Sequence, residues 1–152
     1  MFSRVLKTNH LNILSTQIIQ FKHRKTANMS YVSGDNFIKI NVETNNGNFI
    51  ELKGEYNDTL YDIAKRNNTI ESQILNQCLD CECQGVMACA GCHVYIDDDW
   101  YNSVNKPCEN EQDTLDLLTN SQDNSKLGCQ LRLKPHLNGI KIKLPVNTDK
   151  LF

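Results

Sequence analysis

The sequence predicts a small α+β domain with one mixed sheet, and three observations predict it. An alternating run, Ile38, Ile40 and Val42, faces a second apolar run at residues 49–52 across Asn46-Gly47. A helical pattern follows at once, and further β-like runs come only after a long cysteine-rich segment. Asn-Gly tolerates positive φ, so the first two runs make a hairpin. Asp58 can accept the free N–H groups that open a helix. Leu60, Ile63 and Ala64 then share one face at i, i+3 and i+4, and this helix covers the hairpin. The later elements, in order, are a short strand at residues 93–96, a helix near residues 109–118, and β-like runs at 130–133 and 140–144. Pro135 and Pro145 mark strand ends.

The 152 residues, 39% of them hydrophobic with a single Trp, suffice for one domain with a modest core. The net charge of -2 conceals an asymmetry. Residues 1–34 carry Arg4, Lys7, Lys22, Arg24 and Lys25 and no acid, whereas the other 118 carry 11 basic and 18 acidic side chains. Ser3, Ser15, Thr16, Ser30 and loosely spaced apolar residues from Leu6 to Ile19 complete the composition of a mitochondrial targeting leader, which must be cationic, acid-poor and amphipathic. The expected organisation is therefore a leader at 1–34 and a folded domain at 35–152. No run approaches the roughly 20 apolar residues of a membrane helix. No secretory h-region is present, so an extracellular disulfide framework lacks its compartment. Neither a membrane nor a nucleic acid is an expected partner.

Residues 81–93 read CECQGVMACAGCH and hold four of the seven cysteines. Counting from Cys83, five residues precede Cys89, two more precede Cys92, and 36 separate Cys92 from Cys129. Three candidate ligands share one loop and a fourth arrives from afar. A zinc site more often shows two CxxC pairs, or one with a histidine pair, and this chain has one CxxC and no such histidines. A thioredoxin-like dithiol should open a helix, whereas Cys89-Ala90-Gly91-Cys92 runs straight into the β-like His93-Val94-Tyr95-Ile96. A zinc-binding or thiol redox-sensing module remains the alternative of a different class. Gly85, Ala88, Ala90 and Gly91 are small enough for the loop to curl and turn N–H groups toward sulfur. Such a cradle suits an iron cluster, whose negative charge backbone N–H groups can stabilise.

These residues resemble the mitochondrial, adrenodoxin-type 2Fe-2S ferredoxins. The resemblance spans about residues 38–145. It rests on Cys-x5-Cys-x2-Cys-His-Val with Cys-x36-Cys, on Leu-Gly-Cys-Gln at 127–130, on the acidic Glu-Asn-Glu-Gln-Asp-Thr-Leu-Asp-Leu-Leu, and on the terminal Ile-Lys-Leu-Pro. Plant-type ferredoxins usually place four residues, not five, between the first two ligands. The resemblance implies a β-grasp (ubiquitin-like) fold with a long cluster-binding loop, and one 2Fe-2S cluster on Cys83, Cys89, Cys92 and Cys129. Cys81 competes with Cys83 as first ligand, and only Cys83 yields the x5 spacing.

A one-electron carrier rather than an enzyme is implied. It would be a monomer of the mitochondrial matrix or a related organelle, reduced by an NADPH-dependent ferredoxin reductase. Its acceptor would be the iron–sulfur cluster assembly machinery, with a haem-thiolate monooxygenase as the alternative. His93 would support the cluster loop structurally by bridging it to the acidic helix. Asp97, Asp98, Asp99, Glu109, Glu111, Asp113, Asp116 and Asp123 stand against Lys106 alone within residues 97–123. Such a run is by itself a solvated face. The resemblance makes Glu109, Glu111, Asp113 and Asp116 a docking face for basic partners. Cys108 and Glu111 hold capping-box positions, with a thiol where a hydroxyl is usual. Residues 69–82 are longer than the family pattern, and no glycine precedes the first ligand. Cys78, Cys81 and Cys108 are read as spare thiols, with a regulatory disulfide between the first two as the alternative.

Overall fold

The computed structural model describes residues 37–146, and the expected targeting leader at 1–34 lies outside them. Period-two alternation is realised in β1 (Phe37–Glu43), where Ile38, Ile40 and Val42 are buried. β2 (Phe49–Glu55) pairs antiparallel with it, Val42 opposite Ile50. At the turn Gly47 has φ +77°, and its N–H donates to Thr44 O at 2.8 Å. The expected hairpin is present.

α1 (Leu60–Arg66) buries Leu60, Ile63 and Ala64, as its spacing requires. Its cap is Thr59 rather than Asp58. Thr59 Oγ1 accepts the Asp62 N–H at 3.2 Å while Asp62 Oδ2 accepts the Thr59 N–H at 2.9 Å, a reciprocal box. Asp58 instead accepts the Glu55 N–H at 2.7 Å and pairs with Arg66. A Cβ on Gly54 of β2 would overlap the side chains of Leu133 and Ile63, so this glycine sets how closely they approach the strand.

α2 (Ile70–Cys78), a helix the sequence analysis does not predict, accounts for the long segment before the cysteines. Thr69 and Ser72 close a second capping box, and Leu75 is fully buried. Helices this short do not persist alone in water, so both depend on caps and burial.

β3 (His93–Ile96) occupies the expected residues, and a single turn, α3 (Asp98–Tyr101), follows it unforeseen. α4 (Glu109–Asp116) is the expected acidic helix. The fourth strand is β4 (Ser125–Leu127), not 130–133. The chain turns immediately after Leu127, and Leu131 and Leu133 enter the core from irregular backbone. There Leu133 N–H donates to Asp58 O and Leu133 O accepts the Asn57 N–H, both at 2.8 Å, so a loop rather than a strand satisfies this segment. Pro135 opens a 3₁₀ turn (Pro135–Leu137) instead of closing a strand. β5 (Ile140–Lys143) completes the sheet, and Pro145 lies just beyond its end.

The strand order is β2-β1-β5-β3-β4, with β1 and β5 parallel, Ile40 opposite Ile140, and every other pair antiparallel. This is the mixed sheet of a β-grasp fold. The main core packs sheet residues such as Ile40, Leu52, Ile96 and Ile142 against Leu60 and Ile63 of α1 and Leu75 of α2. A smaller cluster joins Leu115 and Leu118 to Ala90, Cys92, Leu127 and Cys129, and it carries the candidate site. Among the described residues no helix is long and apolar enough to cross a membrane.

Candidate metal centre

The cysteine loop leaves α2 at Leu79 and curls back on itself before β3. Gln84, Met87 and Ala90 have φ of 55°, 62° and 52°, and Gly85 has 90°. Repeated left-handed residues of this kind turn consecutive amides to the inside of a bend and make an anion-binding concavity. Asp80 N–H donates to Gly91 O at 3.0 Å and clips the entry of the loop to its exit. A Cβ on Gly91 would overlap the Asp80 carbonyl, so the clip needs glycine. Cys129 is delivered by the turn after β4, where Gly128 N–H donates to Cys92 O at 2.8 Å.

The four cysteines of the x5, x2, x36 pattern are brought together here. Cys83 is half-buried at the rim, and Cys89, Cys92 and Cys129 are buried. Their thiols interact in two pairs, Cys83 with Cys89 and Cys92 with Cys129. Burial works against a Cys83 thiolate. The Cys89 thiol and the N–H groups of Ala88, Gly85 and Cys89 outweigh it and bring Cys83 from 9.0 to about 7. Burial raises Cys89. At Cys92 the contact with Cys129 lowers the pKa, but the Cys81 thiol and burial overcome it and leave Cys92 well above the usual thiol range. Cys129 is pushed up by its hydrogen bond with the Cys92 thiol and then by burial.

The donor set fits a two-iron centre. Two thiol pairs offer two ligands to each of two metal ions, backbone N–H groups already point at the sulfur nearest the rim, and metal charge is what would let the inner pair ionise. Among the described residues no group of three or more His, Cys, Asp or Glu converges as a ligand set for one ion.

The other three cysteines divide differently. Cys108 is exposed, and Cys78 is half-buried with Sγ 3.6 Å from Asn45 Oδ1. Cys81 touches the site, because its thiol interacts with that of Cys92. All seven are free thiols.

The sequence does not mark two side chains that hold the loop, nor a third that braces α4 against β4. Thr114 Oγ1 donates to Met87 O at 2.7 Å, and Gln130 Nε2 donates to Gly85 O at 3.1 Å while lying 3.5 Å from Cys129 Sγ. Lys126 is 3% exposed and binds Glu111, which is 2% exposed, at 2.8 Å, and the other Glu111 oxygen accepts the Leu127 N–H at 2.9 Å. No local pattern marks these partners, which lie 15 to 45 residues apart.

Glu111 therefore corrects the expected docking face. Glu109, Asp113 and Asp116 are exposed, but Glu111 points inward and braces α4 against β4. It does not complete a capping box either, and Cys108 makes no side-chain cap. A carboxylate three residues into the helix finds a buried ammonium and an N–H within reach, and these compete successfully with the helix end. His93 is buried with Nε2 2.8 Å from Ser125 Oγ, and that hydroxyl accepts the Gln122 N–H at 2.9 Å. The ring thus ties β3 to the first residue of β4.

The comparisons with known proteins agree with this geometry. A 2Fe-2S ferredoxin of Rickettsia bellii is 37% identical over 114 residues, which cover 75% of this chain and 96% of that protein. The chain belongs to the adrenodoxin-type 2Fe-2S ferredoxins. Mitochondrial ferredoxin-2 of Xenopus laevis is 35% identical over 106 residues, 70% of this chain and 51% of that protein. A variant of putidaredoxin, described as an Fe2S2 ferredoxin, superposes with a TM-score of 0.64 at 28% identity, over 73% of this chain and 99% of its own. Putidaredoxin in its covalent complex with putidaredoxin reductase gives 0.61 at 29%, over 70% and 97%. No protein-family model matches the chain. As a ferredoxin of this type it is an electron-transfer protein with one 2Fe-2S cluster, not an enzyme, and the β-grasp expectation holds.

Proposed function

We propose that Cys83, Cys89, Cys92 and Cys129 are the thiolate ligands of the 2Fe-2S cluster. Through them the protein passes single electrons from an NADPH-dependent ferredoxin reductase to the iron–sulfur cluster assembly machinery. The observation that carries the ligand assignment is the pairing of Cys83 with Cys89 in the loop and of Cys92 with Cys129 from the turn after β4, with loop amides on the Cys83 sulfur. The cluster supplies the one-electron couple. The chain supplies the rest: the left-handed loop places N–H donors around added negative charge, Gly91 and Gly128 bring the segments close, and Gln130 fixes the Gly85 carbonyl.

The covalent complex of putidaredoxin with its reductase supports a reductase partner. The exposed acids Glu109, Asp113 and Asp116 support a basic surface on that partner. The mitochondrial relative and the acid-free, cationic residues 1–34 support a mitochondrial address, whereas Rickettsia relatives are bacterial. Electron delivery to cluster assembly rests on the family resemblance alone.

Replacing each of the seven cysteines by serine and measuring iron and acid-labile sulfide tests the ligand set. Cys83→Ser, Cys89→Ser, Cys92→Ser and Cys129→Ser should each lose cluster, and Cys78→Ser and Cys108→Ser should keep it. Cys81 touches Cys92, so Cys81→Ser decides whether that neighbour ligates. Full cluster in Cys129→Ser, or its loss in Cys108→Ser, would overturn the assignment.

A further inference from the structure

We infer that Thr114 of α4 is a positioning residue for the cluster: its hydroxyl pins the Met87–Ala88 peptide so that the Ala88 N–H stays on the Cys83 sulfur and favours the reduced state. The inference rests on the reading of Cys83 as a ligand.

Thr114 is buried on the inner side of α4, with Oγ1 2.7 Å from Met87 O and 2.9 Å from Asn110 O. A hydroxyl has one proton to give, and a bond to the carbonyl four residues back, here Asn110, is what any mid-helix threonine can make. The shorter contact, to Met87, is the one that reaches another segment. Met87 has φ +62°, a conformation L-residues resist, so this peptide needs something to hold it. No peptide bond among the described residues is cis. In a trans peptide the C=O and N–H point to opposite sides. Peptide 87–88 accordingly turns its oxygen to Thr114 and its N–H to Cys83, where Ala88 is one of the amides bonded to the sulfur.

Two effects follow from that one bond. Holding the oxygen fixes the plane and thereby the aim of the N–H. Donation to the oxygen also polarises the amide, and bonds in series strengthen one another. Reduction adds one electron from an external donor and takes the centre from about -2 to -3, with no bond made or broken at Thr114. A stronger N–H bond to a ligand sulfur stabilises the more negative state, and hydrogen bonds to sulfur are among the features that set these potentials.

The test uses the full-length holoprotein with Thr114→Val, which keeps the shape and removes the hydroxyl, and Thr114→Ser, which keeps the hydroxyl. Iron, sulfide, the visible spectrum and a redox titration are measured for each. Thr114→Val should retain the cluster and titrate at a more negative potential. Its reduction should be disfavoured three- to tenfold, about 30 to 59 mV at 59 mV per tenfold for one electron. Thr114→Ser should return toward the parent. A fully loaded Thr114→Val at the parental potential overturns the inference, as does a serine variant shifted as far as the valine one. Cluster loss in Thr114→Val that serine restores supports the hydroxyl, and loss in both assigns the effect to packing and overturns it. Cys83→Ser separates the two levels. Undiminished iron and sulfide there removes the ligand reading itself, whereas depletion there with an unmoved Thr114→Val potential removes only the role of Thr114.

Discussion

Glu111 shows how much depends on one side chain's direction. Its carboxylate serves a buried Lys126 ammonium and the Leu127 N–H, two residues before Cys129, so it links α4 to the strand that delivers a candidate ligand. Removing one partner of a buried pair strands the other without water or counter-charge. Glu111→Ala should therefore destabilise the fold by about 3–5 kcal/mol, whereas Glu111→Leu with Lys126→Met removes both charges and should cost much less. Denaturant unfolding of the three proteins, each at matched cluster content, checks this. A loss below about 1 kcal/mol in the single variant is the size expected of an exposed pair and would contradict the buried bridge. The acidic run made Glu111 legible as a charge, but its partner lies 15 residues on, beyond any periodicity.

At the scale of elements, α4 divides into two sides. Leu115, with Leu118 just past the helix end, buries toward the cysteine loop and Thr114 reaches it, while Glu109, Asp113 and Asp116, at i, i+4 and i+7, stay in solvent. Complementary charge on such a face speeds encounter more than it adds affinity, and screening sets in over a Debye length of about 8 Å at physiological salt. Asp113→Lys with Asp116→Lys should slow association with the reductase by an order of magnitude or more at low salt, leave the cluster spectrum unaltered, and differ less from the parent at high salt. Stopped-flow reduction across a salt series measures it, and equal rates at low salt would return the acids to a merely solvated face. α2 carries a lesson of the same scale. Its cap residues Thr69 and Ser72 are a local helix signal, but with Leu75 and Leu79 as its only buried leucines the stretch carries too short an apolar face to stand out by periodicity.

For the whole molecule, the described residues hold the sheet, both core clusters and all seven cysteines without residues 1–34. Deleting 1–34 should leave iron, sulfide and the thermal midpoint unchanged. The same residues fused to a fluorescent cargo should direct it to mitochondria or a related organelle, and a cytosolic cargo would remove that assignment. The hairpin, the α1 and α4 faces, the β3 and β5 runs and the x5, x2, x36 spacing are legible along the chain, because they depend on periodicity and on cysteines counted in order. Folding is needed to see that Glu111 faces inward, that β4 precedes Cys129 instead of following it, that Cys81 reaches Cys92, and that Thr114 and Gln130 hold the loop carbonyls. A buried polar group takes whichever partner the folded chain brings within hydrogen-bond reach, and here those partners come from segments up to 45 residues away.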